Sequence, residues 1–148
     1  MALIDRIELK VVKVPLEAET KNGVIHELVE ILANAGVITD TEKSYDAVLT
    51  REALGSTGLE NGVAVPHAKT NSVASLAIAI GIAPDGIDFD ALDGMPSKLF
   101  FLLLAPPDQS GPHIEALAEI ARVTRSKAFC RALTSSVSAD EVVELFQE

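Results

Sequence analysis

Two near-continuous apolar runs, LAIAIGIA at residues 76–83 and KLFFLLLA at 98–105, constrain what this chain can fold into more than any other feature. Neither alternates apolar with polar residues, as a strand with one wet face would, and both fall well short of the ~18–20 residues that a membrane span requires. Runs of this kind suit strands buried on both faces, which in turn need a layer of helices over each face of the sheet. Pro84-Asp85-Gly86 bounds the first run and Pro106-Pro107 the second. The segment between them, 84–97, is too short for a helical crossover, so the two strands can pair as a hairpin and the sheet is expected to be mixed.

The flanking patterns supply the helices. Residues 10–16, KVVKVPL, predict a short opening strand that Pro15 confines to an end or an edge. Val24, Leu28, Ile31, Leu32 and Ala35 recur at spacings of three and four, and Gly36 follows as a stop, so an amphipathic helix is expected from Thr20. TDTE at 39–42 predicts a capping box, Thr39 with Glu42, opening a second helix that runs through Tyr45, Val48 and Leu49 to about Ala53. Gly55, Gly58 and Gly62 break the helical pattern, and VAVP predicts a brief strand with His67 at its end. Beyond Pro107 the helical period returns at Ile114, Leu117, Ala118, Ala121 and Arg125, followed by two shorter helices in KAFCRALTSS and ADEVVELFQ. The expected fold is α/β (α+β): a three-layer α/β/α sandwich around a mixed sheet of four to five strands, with residues 1–148 forming a single domain. A chain of 148 residues is long enough to bury roughly 68–70% of its unfolded surface. With 4% aromatics and no Trp, its core must come from Val, Ile, Leu and Ala.

Charge and cysteine content narrow the function. A net charge of −10 argues against binding to a nucleic-acid backbone, which needs clustered Lys and Arg to displace counterions. One cysteine, Cys130, cannot form an internal disulfide, and MALIDRIELK has neither the basic region nor the apolar stretch of a targeting segment. A cytoplasmic protein without direct membrane insertion is expected.

The chemistry concentrates in TREALGSTGLENGVAVPHAKT, residues 50–70. Ser56, Thr57 and the amides around Gly55 and Gly58 can form a small anion-binding nest. The stretch is no nucleotide-binding P-loop, because the Gly-Lys-Ser/Thr positions read Glu60-Asn61-Gly62. Arg51 adds a permanent cation whose planar donor fork suits phosphate. His67 follows Pro66, so its ring projects from a fixed backbone, and an imidazole can act as base, metal ligand or nucleophile. His113, in SGPHIEAL, is placed near a helix start where Ser110 or Gly111 can cap and Pro112 suits the first turn. Such a terminus favours a phosphate and lowers the proton affinity of a histidine beside it. Two histidines, an arginine and a nest make a phosphate site. For nucleophilic attack the imidazole must be neutral, and one with an ordinary pKa near 6.5 is roughly four-fifths neutral just above pH 7.

REALGSTGLENGVAVPH, followed downstream by HIEALAEIARV, resembles the IIA domains of the fructose/mannitol class of the bacterial phosphoenolpyruvate-dependent sugar phosphotransferase system, including the nitrogen-regulatory IIA branch. The likeness runs from about Val24 to Phe146 and takes in GIDFDALDG and KLFFLLLAP. It implies a phosphocarrier: the match at His67 accepts a phosphoryl group from HPr or its nitrogen-branch paralogue and passes it to a IIB cysteine. Arg51 and His113 match the family's active-site partners, and no cofactor or metal is implied. Glu60 stands where the motif more often has glycine. The alternative function within the same resemblance is a regulatory IIA protein whose phosphohistidine switches its binding to regulatory protein targets. A metal-dependent hydrolase using His67 and His113 lacks a carboxylate-histidine ligand set.

Other conspicuous residues have structural readings. His26 lies off the apolar stripe and is expected to face solvent, and Cys130 is expected as an inert buried thiol. Asp85, Asp88, Asp90 and Asp93 miss the spacing of a calcium loop and are expected in a solvated turn.

Overall fold

The computed structural model describes residues 7–147. Residues 1–6, which carry most of the N-terminal segment read above for targeting signals, lie outside the described residues, as does Glu148. In chain order the elements are β1 (Val12–Lys13), α1 (Lys21–Asn34), α2 (Thr41–Glu52), β2 (Val63–Ala64), β3 (His67–Lys69), β4 (Ala77–Ile87), β5 (Ser97–Ala105), α3 (Ser110–Val123), α4 (Lys127–Thr134) and α5 (Ala139–Gln147).

The two apolar runs become the centre of a five-stranded mixed sheet. β4 and β5 pair antiparallel from Ala77↔Leu104 to Ile82↔Leu99, as the short connection between them requires. β1 runs parallel to the other side of β4. β2 and β3 both run parallel to β5, one after the other along its remaining edge.

Alternation along β5 divides the core in two. Phe100, Leu102 and Leu104 pack with Val24, Ile25, Leu28, Leu32 and Val48 of α1 and α2. Leu99, Phe101, Leu103 and Ala105 pack instead with Ala116, Ile120, Leu133, Val142 and Phe146 of α3, α4 and α5. Residues 99–105 have no exposed surface at all, and each such Leu contributes about 1.5–3 kcal/mol. This is the expected three-layer sandwich.

Several local expectations are corrected. Asp40, not Thr39, caps α2 by accepting from the Lys43 amide, because the Thr39 hydroxyl donates to the Ser72 carbonyl across the fold. The stretch read as one strand ending in His67 is two short strands, and His67 opens the second. β4 continues through Pro84-Asp85-Gly86 to Ile87. The ladder to β5 shifts register between Ile82 and Ile87, so the N–H that Pro84 lacks is not needed there. On α1 the buried face is wider than the stripe and includes Ile25 and Val29.

Candidate functional site

His67 is held by backbone on both sides. It pairs in register with Leu103 of β5, and the carbonyl of the preceding Pro66 accepts from the Leu103 amide at 3.0 Å. Its Nδ1 lies 2.8 Å from the Val65 carbonyl oxygen. A carbonyl only accepts, so Nδ1 carries the ring proton and a neutral His67 has its lone pair on Nε2. Residues two apart on a strand share a face, which puts Lys69 beside His67 and buries Ala68 on the opposite side.

His113 faces His67 from α3. The rings meet edge to face, with centroids 5.4 Å apart and planes at 79°. α3 starts at Ser110 with Gln109 as its N-cap residue and no side-chain cap, which corrects the expectation that Ser110 or Gly111 caps it. The Ser110 hydroxyl instead accepts from Lys69 Nζ at 2.7 Å, tying the helix start to β3. His113 therefore sits one turn into the helix, 5% exposed, and its Nε2 has no hydrogen-bond partner among the described residues. Its affinity for a proton is lowered, by burial first and then by electrostatic repulsion of an added proton from the neighbouring His67 and Lys69. The direction matches the expectation from the helix terminus, but the cause is the site itself.

Arg51 comes from the last turn of α2, which packs against β3. Its Nη1 donates to the Gly55 carbonyl at 2.9 Å. A pocket of about 440 Å³ brings Arg51, His67, Lys69 and His113 together, with Leu54 and Ile114 on its rim. These two apolar side chains are 83% and 66% exposed, an arrangement that suits contact with another protein more than with water.

Ser56, Thr57 and Gly58 are not among the residues lining that pocket. Their polar groups turn inward. Both the amide and the hydroxyl of Thr57 donate to the buried carboxylate of Glu52, which also pairs with Lys21 at 2.8 Å. The Ser56 hydroxyl donates to the Phe89 carbonyl at 2.6 Å and accepts from the Gly58 amide at 3.0 Å. A Cβ on Gly58 would lie 2.9 Å from Ala91 Cα, so glycine is required there by the close approach of the 89–92 loop. The turn is thus a docking element that fixes the end of α2, and with it Arg51.

Lys69 and Glu52 were not singled out in the sequence. The signal for Lys69 was its position two residues after His67 on a strand. Glu52 offered none, because the partners that bury it, Lys21 and Thr57, lie on other segments.

The residues given structural readings fall elsewhere. His26 is half-exposed beside Glu30 and Tyr45. Cys130 is buried, and burial raises its thiol pKa. Asp88 and Asp93 accept from the amides of Asp90 and Met95, and among the described residues no cluster of His, Cys, Asp and Glu could hold a metal ion. Glu60 lies exposed in the turn before β2 and is not among the residues lining the His67 pocket.

The family model described as "Phosphoenolpyruvate-dependent sugar phosphotransferase system, EIIA 2" matches residues 7–148. The chain belongs to this family. As an EIIA 2 protein it is a component of a phosphotransferase system. It is 33% identical over its whole length to the "PTS system fructose-specific EIIABC component" of Bacillus subtilis, of which it spans 23%. It is 35% identical over 82% of its length to the "Nitrogen regulatory protein" of Klebsiella oxytoca, covering 76% of that protein. Among solved structures, the IIA-Ntr protein of Neisseria meningitidis superposes with a TM-score of 0.89 at 29% identity, over 97% of this chain and 98% of that one. Among the described residues, no helix of this EIIA 2 protein is long and apolar enough to cross a membrane.

Proposed function

We propose that this protein is a phosphohistidine carrier of the phosphoenolpyruvate-dependent system, with Nε2 of His67 as the acceptor and residues 1–148 as a single cytoplasmic domain. The observation that carries this reading is the Nδ1 contact with the Val65 carbonyl, which leaves Nε2 as the nucleophilic nitrogen beside Arg51, Lys69 and His113. The donor is the phosphohistidine of HPr or of its nitrogen-branch paralogue. As the Nε2–P bond forms, the donor's N–P bond breaks and its ring recovers the electron pair. In the second transfer an incoming nucleophile, a IIB cysteine thiolate in the sugar branch, attacks phosphorus and His67 regains its lone pair.

Little covalent chemistry is asked of the other residues, because phosphoryl transfer depends on positioning and charge. Arg51 and Lys69 neutralise the phosphoryl oxygens. His113, kept neutral by burial and the nearby charges, donates a hydrogen bond to them. Ser56, Thr57 and Gly58 act through the turn that fixes Arg51. No metal, cofactor or nucleic acid has a part. The exposed Leu54 and Ile114 give donor and acceptor proteins an apolar surface around the histidine.

A second reading concerns only the output. Relatives named for fructose and for nitrogen regulation match at similar identity, so the downstream partner is either a IIB component or a regulatory protein that responds to the state of His67. Incubation with phosphoenolpyruvate, Enzyme I and an HPr-type carrier, followed by intact mass measurement, tests the shared step. Gain of one phosphoryl group is expected, and no gain with either donor type overturns it.

A further inference from the structure

A cleft of about 620 Å³ lies between the β4–β5 hairpin and α4, with Lys98, Lys127 and Arg131 along its walls beside Asp85, Asp93 and Cys130. It shares no lining residue with the His67 pocket. His67 pairs with Leu103 of β5, whereas Lys98 is near the start of that strand, about 16 Å away at ~3.3 Å per residue.

The state of its cations sets this cleft apart. The chain has 22 acidic against 12 basic residues, and most of its described Lys and Arg side chains are partnered. Lys13 and Lys21 each pair with two acids, Arg122 pairs with Glu119, and Lys43, Arg51 and Lys69 are hydrogen-bonded. The side chains of Lys98, Lys127 and Arg131 hold neither an ion pair nor a hydrogen bond among the described residues, a condition shared among the Lys and Arg side chains only by Lys10 and Arg125. Three of the five unpartnered cations therefore converge on one concavity. Lys127 and Arg131 are one turn apart on α4, where like charges stand together and repel. Asp93 is occupied with the Met95 amide, and neither Asp85 nor Asp93 forms an ion pair with the three cations.

We propose that this cleft is a second ligand site, binding a small metabolite with two or more phosphate or carboxylate groups. Its volume falls within the ~300–1,000 Å³ of small-molecule pockets. The Arg131 fork can engage one anionic group in two hydrogen bonds while the lysines neutralise another. A bound polyanion also relieves the repulsion between Lys127 and Arg131. The site does not depend on phosphate at His67, and a His67→Ala variant binds as the parent does.

Titration of the ¹⁵N-labelled protein at constant ionic strength, with inorganic pyrophosphate in one arm and citrate in the other, tests the proposal. Amide shifts are expected at Lys98 and along 127–131, saturating with a dissociation constant of about 1 mM or tighter. The arm that saturates more tightly identifies phosphate or carboxylate as the preferred group. In a Lys127→Ala/Arg131→Ala variant, whose altered side chains are exposed and whose stability should therefore change little, affinity should fall tenfold or more, whereas Arg125→Ala should leave it unchanged. No saturation in either arm, shifts confined to the surroundings of His67, or unaltered affinity in the double variant would each overturn it.

Discussion

His67 Nδ1 lies 2.8 Å from the carbonyl oxygen of Val65, two residues earlier. The contact spans the break between β2 and β3, so the two residues that separate these strands, Val65 and Pro66, also fix the tautomer of the ring that follows them. The break between β2 and β3 thereby leaves the Nε2 lone pair of a neutral His67 facing a pocket that Arg51 and Lys69 also line.

Arg51→Lys should slow phosphoryl transfer about tenfold or more at equal folded concentration, although the charge is kept. The guanidinium donates to the Gly55 carbonyl from Nη1; under the proposed function its other donors in the same plane meet the phosphoryl oxygens, and an ammonium cannot do both. Rapid-quench measurement of transfer from the HPr-type donor checks this, and a parental rate would mean that Arg51 does not orient the phosphoryl group.

His113 and pH are linked through burial. Its folded pKa lies below its ordinary value of 6.5, so in the window below 6.5 the unfolded chain binds more protons than the folded one. Stability that is fully present above about pH 6.5 is then lost as pH falls toward the folded pKa. Urea midpoints at pH 7.5 and 5.5 should differ less in His113→Gln than in the parent. Equal differences would remove His113 as a source of the slope.

Glu52→Ala should destabilise the protein by about 3 kcal/mol, because it leaves the amide and hydroxyl of buried Thr57 and the ammonium of Lys21 without their shared carboxylate. Thermal or urea unfolding measures this. A loss under about 0.5 kcal/mol, as at an ordinary surface site, would contradict the role of the 52–58 turn.

Gly58→Ala should also destabilise, by about 1–3 kcal/mol, since the new methyl meets the Ala91 backbone and the Phe89 carbonyl. Phosphoryl transfer per folded molecule should fall by less than in Arg51→Lys, because the turn that positions Arg51 shifts while the guanidinium itself is kept. A stable but inactive variant would place Gly58 at the phosphate instead.

What the sequence made legible follows from how local each signal is. The unbroken apolar runs report burial on both faces by themselves, so β4, β5, their hairpin and the three layers could be read directly. Thr39 and Asp40 both have N-cap chemistry, and what decides between them is the Ser72 carbonyl, a partner more than thirty positions away. Pro84 was read as a strand boundary because a register shift, which makes its missing N–H harmless, leaves no mark in composition. At the site, Arg51, His67 and His113 belong to recognisable runs and converge on one pocket. The turn of Ser56 and Thr57 looks like an anion nest in sequence, and only the placement of Glu52 and Phe89 beneath it shows where its hydroxyls go.

The central claim is that His67 accepts phosphate at Nε2, and long-range ¹H–¹⁵N correlation of the histidine rings after phosphorylation by phosphoenolpyruvate, Enzyme I and an HPr-type carrier tests it most directly. The account predicts a phosphoryl group on Nε2 of His67, a retained proton on its Nδ1 and an unmodified His113. Phosphate on His113, or on Nδ1 of His67, would contradict it.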